Sequence, residues 1–236
     1  MCRTVLHQIP TDCKAIDKTL GGGIPVESVS LIYGEAETGK TTLAIQCAIN
    51  CARQGYKTLF ADCDGTFSAR RLPQIAIRGF KDIAERIVLM KPDNFSEQAI
   101  VINQLTDYIT KNFGLVVIDT ITSLYRAEIA EHPEKTFELN RELNRQMACL
   151  AQIARTQKIV VLMTSQVRSV FNETYVSIEP VATRVLKFWA DTIIDMKPTE
   201  NPQIIKAILE KGSKRVPPLT CHLRIEETGI REYLIR

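Results

Sequence analysis

One eight-residue stretch constrains this chain more than any other. Gly34, Glu35, Ala36, Glu37, Thr38, Gly39, Lys40 and Thr41 match the phosphate-loop pattern G-x-x-x-x-G-K-[ST] at every position. Ser28–Tyr33 ahead of it is rich in apolar and β-branched residues, as a buried strand should be. Behind it, Leu43, Cys47 and Cys51 recur every four residues, as do Ala44, Ala48 and Ala52, which predicts a helix buried along one face. Gly55 then supplies a C-terminal stop.

A nucleoside triphosphate needs donors at close range, and backbone N–H groups approach it only where side chains are absent. Gly34 and Gly39 let the loop curl with several N–H groups inward, and the following helix adds the partial positive charge of its N-terminus. Lys40 is placed to reach the β- and γ-phosphates and Thr41 to put its hydroxyl on Mg²⁺, with Thr42 near the α-phosphate. The expected ligands are therefore ATP and Mg²⁺.

The bulk numbers fit such a domain. The chain has 236 residues, 45% hydrophobic and 24% charged, enough for one sizeable core. A net charge of +3 imposes no strong global field, so any nucleic-acid surface must be local. The seven cysteines are odd in number and form no C-x-x-C pair, which predicts a reducing compartment without disulfides or zinc. No apolar run approaches the roughly 18 residues of a membrane span, and the N-terminus lacks a signal-peptide pattern. The expectation is a cytoplasmic protein with no membrane partner.

Residues 1–24 read as a short lead-in with a small helix capped by Asp12 and broken by Gly21–Gly23. Strand and helix patterns then alternate. Strands are predicted at Ser28–Tyr33, Lys57–Asp62, Arg86–Met90, Leu115–Asp119 and Lys158–Thr164. Helices are predicted around Leu72–Ala76, after an Asn94/Glu97 capping box with Val101, Leu105 and Ile109 on one side, and along Leu139–Leu150. This alternation defines an α/β fold, a mostly parallel sheet flanked by helices. Residues 168–184 are polar and without periodicity and read as a mobile loop. Four short runs between 190 and 236, with no helix between them, predict a C-terminal antiparallel extension of the sheet. One domain is expected over 1–236.

Other groups complete the phosphate site. Asp119 ends an apolar strand, where a carboxylate holds Mg²⁺ in phosphate-loop proteins. Asp62 and Asp64 end the second strand; either could orient an attacking water, and Asp64-Gly65 is also a turn signal, so the residues alone leave the two open. Gln166, after the fifth strand, is placed to meet a γ-phosphate and pass its presence to the loop behind it.

In combination these segments resemble the RecA/RadA recombinase family. The resemblance is carried by Phe60-Ala-Asp-Cys-Asp-Gly-Thr-Phe67 with Ala69-Arg-Arg-Leu72, by Val117-Ile-Asp-Thr-Ile-Thr-Ser-Leu-Tyr-Arg-Ala-Glu128, and by Thr164-Ser-Gln-Val167. It is nearest to the short archaeal RadB-type paralogues, covers nearly the whole chain, and implies a RecA-like core. Like those paralogues, the chain has no room for the N-terminal helical DNA-binding domain of full-length RadA.

The resemblance implies further roles. Asp64 falls where the family carries a water-activating glutamate. Aspartate is one methylene shorter, which sets the carboxylate back by about 1.5 Å, and about 1 Å of misplacement costs roughly a hundredfold in rate. Slow hydrolysis is therefore expected, with Lys40, Asp64 and Gln166 as the catalytic set. Arg71 matches the arginine that packs on adenine, Arg126 opens the first DNA loop, and Arg168 and Arg184 bound the second, with Phe171 or Tyr175 available to stack on bases. Lys211, Lys214 and Arg215 match cations that reach a neighbouring subunit's γ-phosphate.

The implied function is that of an ATP-binding, weakly hydrolysing, DNA-binding recombinase paralogue that assists homologous recombination and DNA repair. Its implied partners are single-stranded or branched DNA and a RadA-type recombinase or Holliday-junction resolvase. Oligomers fit this pattern, but the subunit-hooking motif of RadA has no counterpart and a stable filament is not expected. Two rival readings stand beside it: a KaiC-like signalling ATPase, which shares the Thr19–Gly23 lead-in, and a recombination mediator that does not hydrolyse.

Overall fold

The structure is a computed structural model that describes residues 5–171, 176–180, 182–212 and 219–233. In chain order its elements are β1 (Gln8–Ile9), α1 (Lys14–Leu20), β2 (Ile24–Pro25), β3 (Ser28–Gly34), α2 (Lys40–Arg53), β4 (Lys57–Asp62), α3 (Arg71–Ala76), α4 (Phe80–Ala84), β5 (Ile87–Met90) and α5 (Phe95–Tyr108). There follow β6 (Phe113–Asp119), α6 (Ser123–Glu131), α7 (Thr136–Gln157), β7 (Val160–Phe171), β8 (Val176–Pro180), α8 (Thr183–Trp189), β9 (Thr192–Pro198), β10 (Ile204–Lys211), β11 (Leu219–Glu226) and β12 (Gly229–Tyr233).

The main sheet has the strand order β12-β11-β10-β9-β3-β7-β6-β4-β5. The six strands from β9 to β5 run parallel, and β10, β11 and β12 extend the sheet antiparallel. The α/β expectation, with its antiparallel C-terminal extension, describes this architecture. Helices cover both faces of the parallel part, so its central strands carry apolar side chains on both sides. One core lies under α1–α4 and holds Ile32, Phe60, Val117 and Leu162; the other lies under α5–α8 and holds Leu31, Leu59, Val116, Ile118 and Val161.

The helix behind the phosphate loop departs from its expectation. Every residue of α2 from Leu43 to Ala52 is buried, not one stripe. The lead-in and β12 cover the side that an amphipathic helix would give to water. The two polar residues of that buried stretch, Gln46 and Asn50, are used to fasten them. Gln46 Nε2 donates to the Thr11 carbonyl (2.7 Å) and the Ile230 carbonyl (3.0 Å), and its Oε1 accepts from the Ile230 N–H (2.8 Å). Asn50 Nδ2 donates to the Pro10 carbonyl (2.9 Å). Buried amides are tolerated because each meets a backbone partner. Gly55, at φ 85°, ends the helix as expected.

The lead-in helix is not capped by Asp12. Asp17 reaches back instead, accepting from the Thr11 N–H and hydroxyl (2.8 Å each), while Asp12 pairs with Arg231 at 3.3 Å. The Asn94 cap is present: its Oδ1 accepts from the Glu97 N–H at 2.8 Å, a contact worth about 1 kcal/mol. The buried stripe of α5 centres on Ile102 and Leu105, with Val101 only half-buried.

The largest departure concerns residues 168–184. They were expected to be irregular, but β7 continues to Phe171 and pairs antiparallel with β8, with Arg168 opposite Glu179 and Phe171 opposite Val176. Val167, Val170, Phe171, Val176 and Ile178 supply β-forming residues among the polar ones, and α8 begins at Thr183. Tyr175, Lys214 and Arg215 lie outside the described residues. Among the described residues, no helix is long and apolar enough to cross a membrane, and the described cysteines are unbridged, all of them buried except the half-buried Cys149.

Candidate nucleotide site

The phosphate loop connects the C-terminal end of β3 to α2 at the edge where parallel strands end, the usual ligand side of such sheets. Gly34 is there because nothing else fits: a Cβ would lie 2.1 Å from the Met196 carbonyl oxygen of β9. Gly39 has a left-handed φ of 84°, and its Cβ would crowd Ile230 and Ile225 at 2.9 and 3.2 Å. The loop bounds a cleft of about 340 Å³ lined by Ala36, Glu37, Gly39, Lys40, Thr41 and Thr42, and faced by Asp64, Thr66, Thr120, Gln166 and Ile225.

Lys40 is nearly buried, and its ammonium donates to the Glu35 carbonyl. Burial lowers its pKa; the charges of Asp119, Asp64 and Glu35 act in the opposite sense. Thr38 Oγ1 also donates to the Glu35 carbonyl (2.9 Å), so the loop is braced from within.

Asp119 ends β6 and is fully buried. Its Oδ1 accepts from the Thr164 hydroxyl of β7, whereas its Oδ2 is buried without a hydrogen-bond partner. Burial raises this carboxyl above the usual range; the Thr164 and Thr41 hydroxyls oppose the rise, and the charges of Asp64 and Asp62 add to it. A buried carboxylate oxygen with no donor is costly. It is also the free valence that a cation beside Thr41 would use, so the donor set fits Mg²⁺. Among the described residues no cluster of three or more His, Cys, Asp or Glu side chains could hold a metal. A magnesium ion here would take its other ligands from phosphate oxygens and water, its ordinary habit.

The two acids after β4 separate. Asp62 is buried and accepts from the N–H groups of Thr66 (2.9 Å) and Phe67 (3.1 Å), so it shapes the turn. Asp64 faces the cleft, where its Oδ2 accepts from the Thr120 hydroxyl at 3.2 Å. Of the pair, only Asp64 is available to a water in the cleft.

Gln166 lines the cleft from β7, and its Oε1 accepts from Arg126 Nη1 of α6 at 2.8 Å. The structure thus joins two residues that sequence reasoning kept apart, and it corrects one expectation: Arg126 does not open a loop but lies within α6, its N–H bonded to the Thr122 carbonyl. Arg71 begins α3 at the cleft's margin, donating to the Glu226 carbonyl (3.3 Å) and to Gln74 (3.0 Å). Arg184 is exposed on α8, and Arg168 lies on β7 where that strand leaves the parallel core to pair with β8. Lys211 lies away from the cleft, in the β10 row that pairs with Ile193, and donates to the Ala190 carbonyl. Thr164, Thr120 and Ile225 were not assigned from sequence. Only strand register brings Thr164 beside Asp119, and only the folded C-terminal hairpin brings Ile225 to Gly39.

A parallel sheet with a glycine loop at one strand end, a buried acid at the next but one and an amide between them defines a RecA-type phosphate-loop protein. The Rad51 family model matches residues 2–233. The DNA repair and recombination protein RadB of Methanococcoides burtonii is 33% identical over 229 residues, covering 97% of this chain and all of that protein. The RadB protein of Thermococcus kodakarensis is 35% identical, covering 95% of this chain and 99% of its own length. A crystal structure of the RadB recombinase superposes with a TM-score of 0.81 at 33% identity, covering 96% of this chain and the whole of that one. The chain belongs to the Rad51 family, within its RadB group of archaeal DNA repair and recombination proteins.

Proposed function

We propose that this protein binds ATP with Mg²⁺, hydrolyses it slowly, and uses the bound nucleotide to set its hold on DNA during homologous recombination and repair. The observation that carries the reading is that Lys40, Thr41 and Asp64 line one cleft, with the orphaned Asp119 oxygen buried beside Lys40 and Thr41. The loop N–H groups and Lys40 would hold phosphate, Thr41 and Asp119 the metal. Mg²⁺ would supply charge neutralisation on the phosphates. Asp64 would accept the hydrogen bond of the attacking water, held in place by Thr120.

Gln166 has one side-chain acceptor, and in this structure Arg126 uses it. That supports a link between the phosphate end of the cleft and α6, the helix that stands where the first DNA loop was expected, alongside the link through β7 to Arg168 and, beyond the β7–β8 hairpin, Arg184. Arg71 would pack on the base. Lys211 and Lys214 would act on a neighbouring subunit, since Lys211 lies away from the cleft of its own chain. DNA and a RadA-type recombinase or resolvase are the proposed partners.

Isothermal titration of ATP with and without Mg²⁺, followed by phosphate release with and without single-stranded DNA, tests the reading. It expects tight Mg²⁺-dependent binding and slow turnover. Binding unchanged by Lys40→Ala would refute the placement of the site.

A further inference from the structure

Beyond β9, which is buried on both faces up to Met196, the strands β10 and β11 alternate between a buried and an open face. Met196, Ile205, Ala207, Leu209, Cys221, Leu223 and Ile230 are buried on the core side, where α1 and α2 pack against β11 and β12. The opposite face of β10–β12 is half-exposed or exposed and polar, apart from Ile204 and Ile208 of β10. Register puts Lys197, Lys206, His222 and Tyr233 in one row across four strands: Lys197 opposite Lys206, Lys206 opposite His222, His222 opposite Tyr233. Two residues along on the same face, Arg224 stands opposite Arg231.

Two like-charged pairs facing each other on adjacent strands oppose folding. They are only partly relieved from within. Lys197 pairs with Asp195 at 3.2 Å and Arg231 with Asp12 at 3.3 Å. Among the described residues, Lys206 is exposed with no hydrogen-bond or ion-pair partner, and Arg224 has only the Tyr233 ring, 5.5 Å from its guanidinium carbon. Glu210, on the same face, is already bound by Tyr33 and Lys187, and Glu226 lies at the hairpin turn. The reverse of this hairpin walls the nucleotide cleft through Ile225.

We propose that the outer face of β10–β12 is a second polynucleotide-binding surface, where Lys206 and Arg224 meet backbone phosphates and Tyr233 offers its ring to an unstacked base of a single strand. Lys206 and Arg224 are diagonal neighbours on adjacent strands, about 7–8 Å apart, so one stretch of backbone spans both. Cations placed to follow a backbone, with an aromatic ring beside them for stacking, are the means by which single strands are held without sequence preference. The proposal takes its ligand from the DNA-binding reading above and adds a site separate from the loop arginines.

The test is fluorescence anisotropy of a labelled oligothymidine against the full chain across a salt series, with ATP titration confirming that each variant is folded. Lys206→Glu with Arg224→Glu is expected to weaken binding at least about tenfold. Lys206→Ala with Arg224→Ala is expected to lower the salt slope by about 1.4, two contacts at roughly 0.7 each for a single strand. Tyr233→Ala is expected to cost at least about fivefold on single strands and little on duplex. Unchanged affinity and slope, with ATP binding intact, overturns the proposal. So does loss of binding to polyglutamate with oligothymidine binding kept, which would assign the face to an acidic protein. Arg168→Ala with Arg184→Ala separates the two surfaces. If only that variant loses DNA, the sheet face is refuted and the loop reading stands; if only the sheet variant does, the reverse holds.

Discussion

The parallel and antiparallel halves of the sheet solve opposite problems. At the ends of β3, β4 and β6, and within β7, the chain buries charged and polar groups, Lys40, Asp62, Asp119 and Thr164, and binds them to one another or to backbone. In β10–β12 it puts cations on an open face and leaves Lys206 to solvent. Buried polar groups are costly unless satisfied, so the first region tolerates few changes. Exposed ones cost little, so the second is free to vary around whatever it binds. The lesson is that the cleft is specified by close fit and the outer face by register alone.

That contrast is sharpest for nucleotide binding. Lys40→Ala should weaken ATP binding by at least about a hundredfold in calorimetry, since hydrogen bonds to charged groups contribute up to about 3 kcal/mol each. Next is the fit of the loop itself. Gly34→Ala places a methyl against the Met196 carbonyl and should destabilise the fold by about 3 kcal/mol in chemical denaturation, the upper end of ordinary substitutions. Lys206→Ala on the open face should change stability by less than about 0.5 kcal/mol. Equal losses would erase the distinction between the regions.

Chemistry in the cleft should respond to one methylene. Asp64→Glu is expected to raise ATP turnover by up to about a hundredfold, by advancing the carboxylate toward the γ-phosphate; an unchanged rate would show that Asp64 does not orient the water. Arg126→Ala should leave ATP affinity near wild type yet change the ATP dependence of DNA affinity by roughly fivefold, measured as the ratio of DNA dissociation constants with and without nucleotide. The smallest effect lies at the border of the two halves. Burial raises the Asp195 carboxyl above its ordinary value, with Lys197 pulling it down. A carboxyl raised by folding holds its proton more tightly in the native state. Stability therefore falls as pH climbs from the ordinary carboxylate range through the raised value. Asp195→Asn should lessen that fall by a small margin in melting temperatures taken from pH 4 to 7; an unaltered profile would mean that Asp195 titrates as though exposed.

Much of the cleft was legible in the sequence because its parts are local. Gly34–Thr42 carries loop, lysine and hydroxyl in one run, and Asp119 announces itself at the end of an apolar strand. What was hidden depends on contacts that residue type and spacing do not reveal, some of them local and most of them distant in sequence. Asp62 and Asp64 look alike until the turn N–H groups of Thr66 and Phe67 claim one of them. Arg126 and Gln166 are forty residues apart and meet through their side chains. The β7–β8 arm was missed because its polar residues obscured a β-branched pattern, and the complete burial of α2 because its cover comes from the two ends of the chain.

That last arrangement has a consequence for how the protein is made. Gln46 closes on Ile230, 184 residues further along, and Ile225 with Ile230 flanks Gly39, so the cleft borrows a wall from strands that are made long after its phosphate motif. A polypeptide leaving the ribosome exposes that motif first, and the cleft has no finished wall until β11 and β12 have emerged and folded back onto α1 and α2.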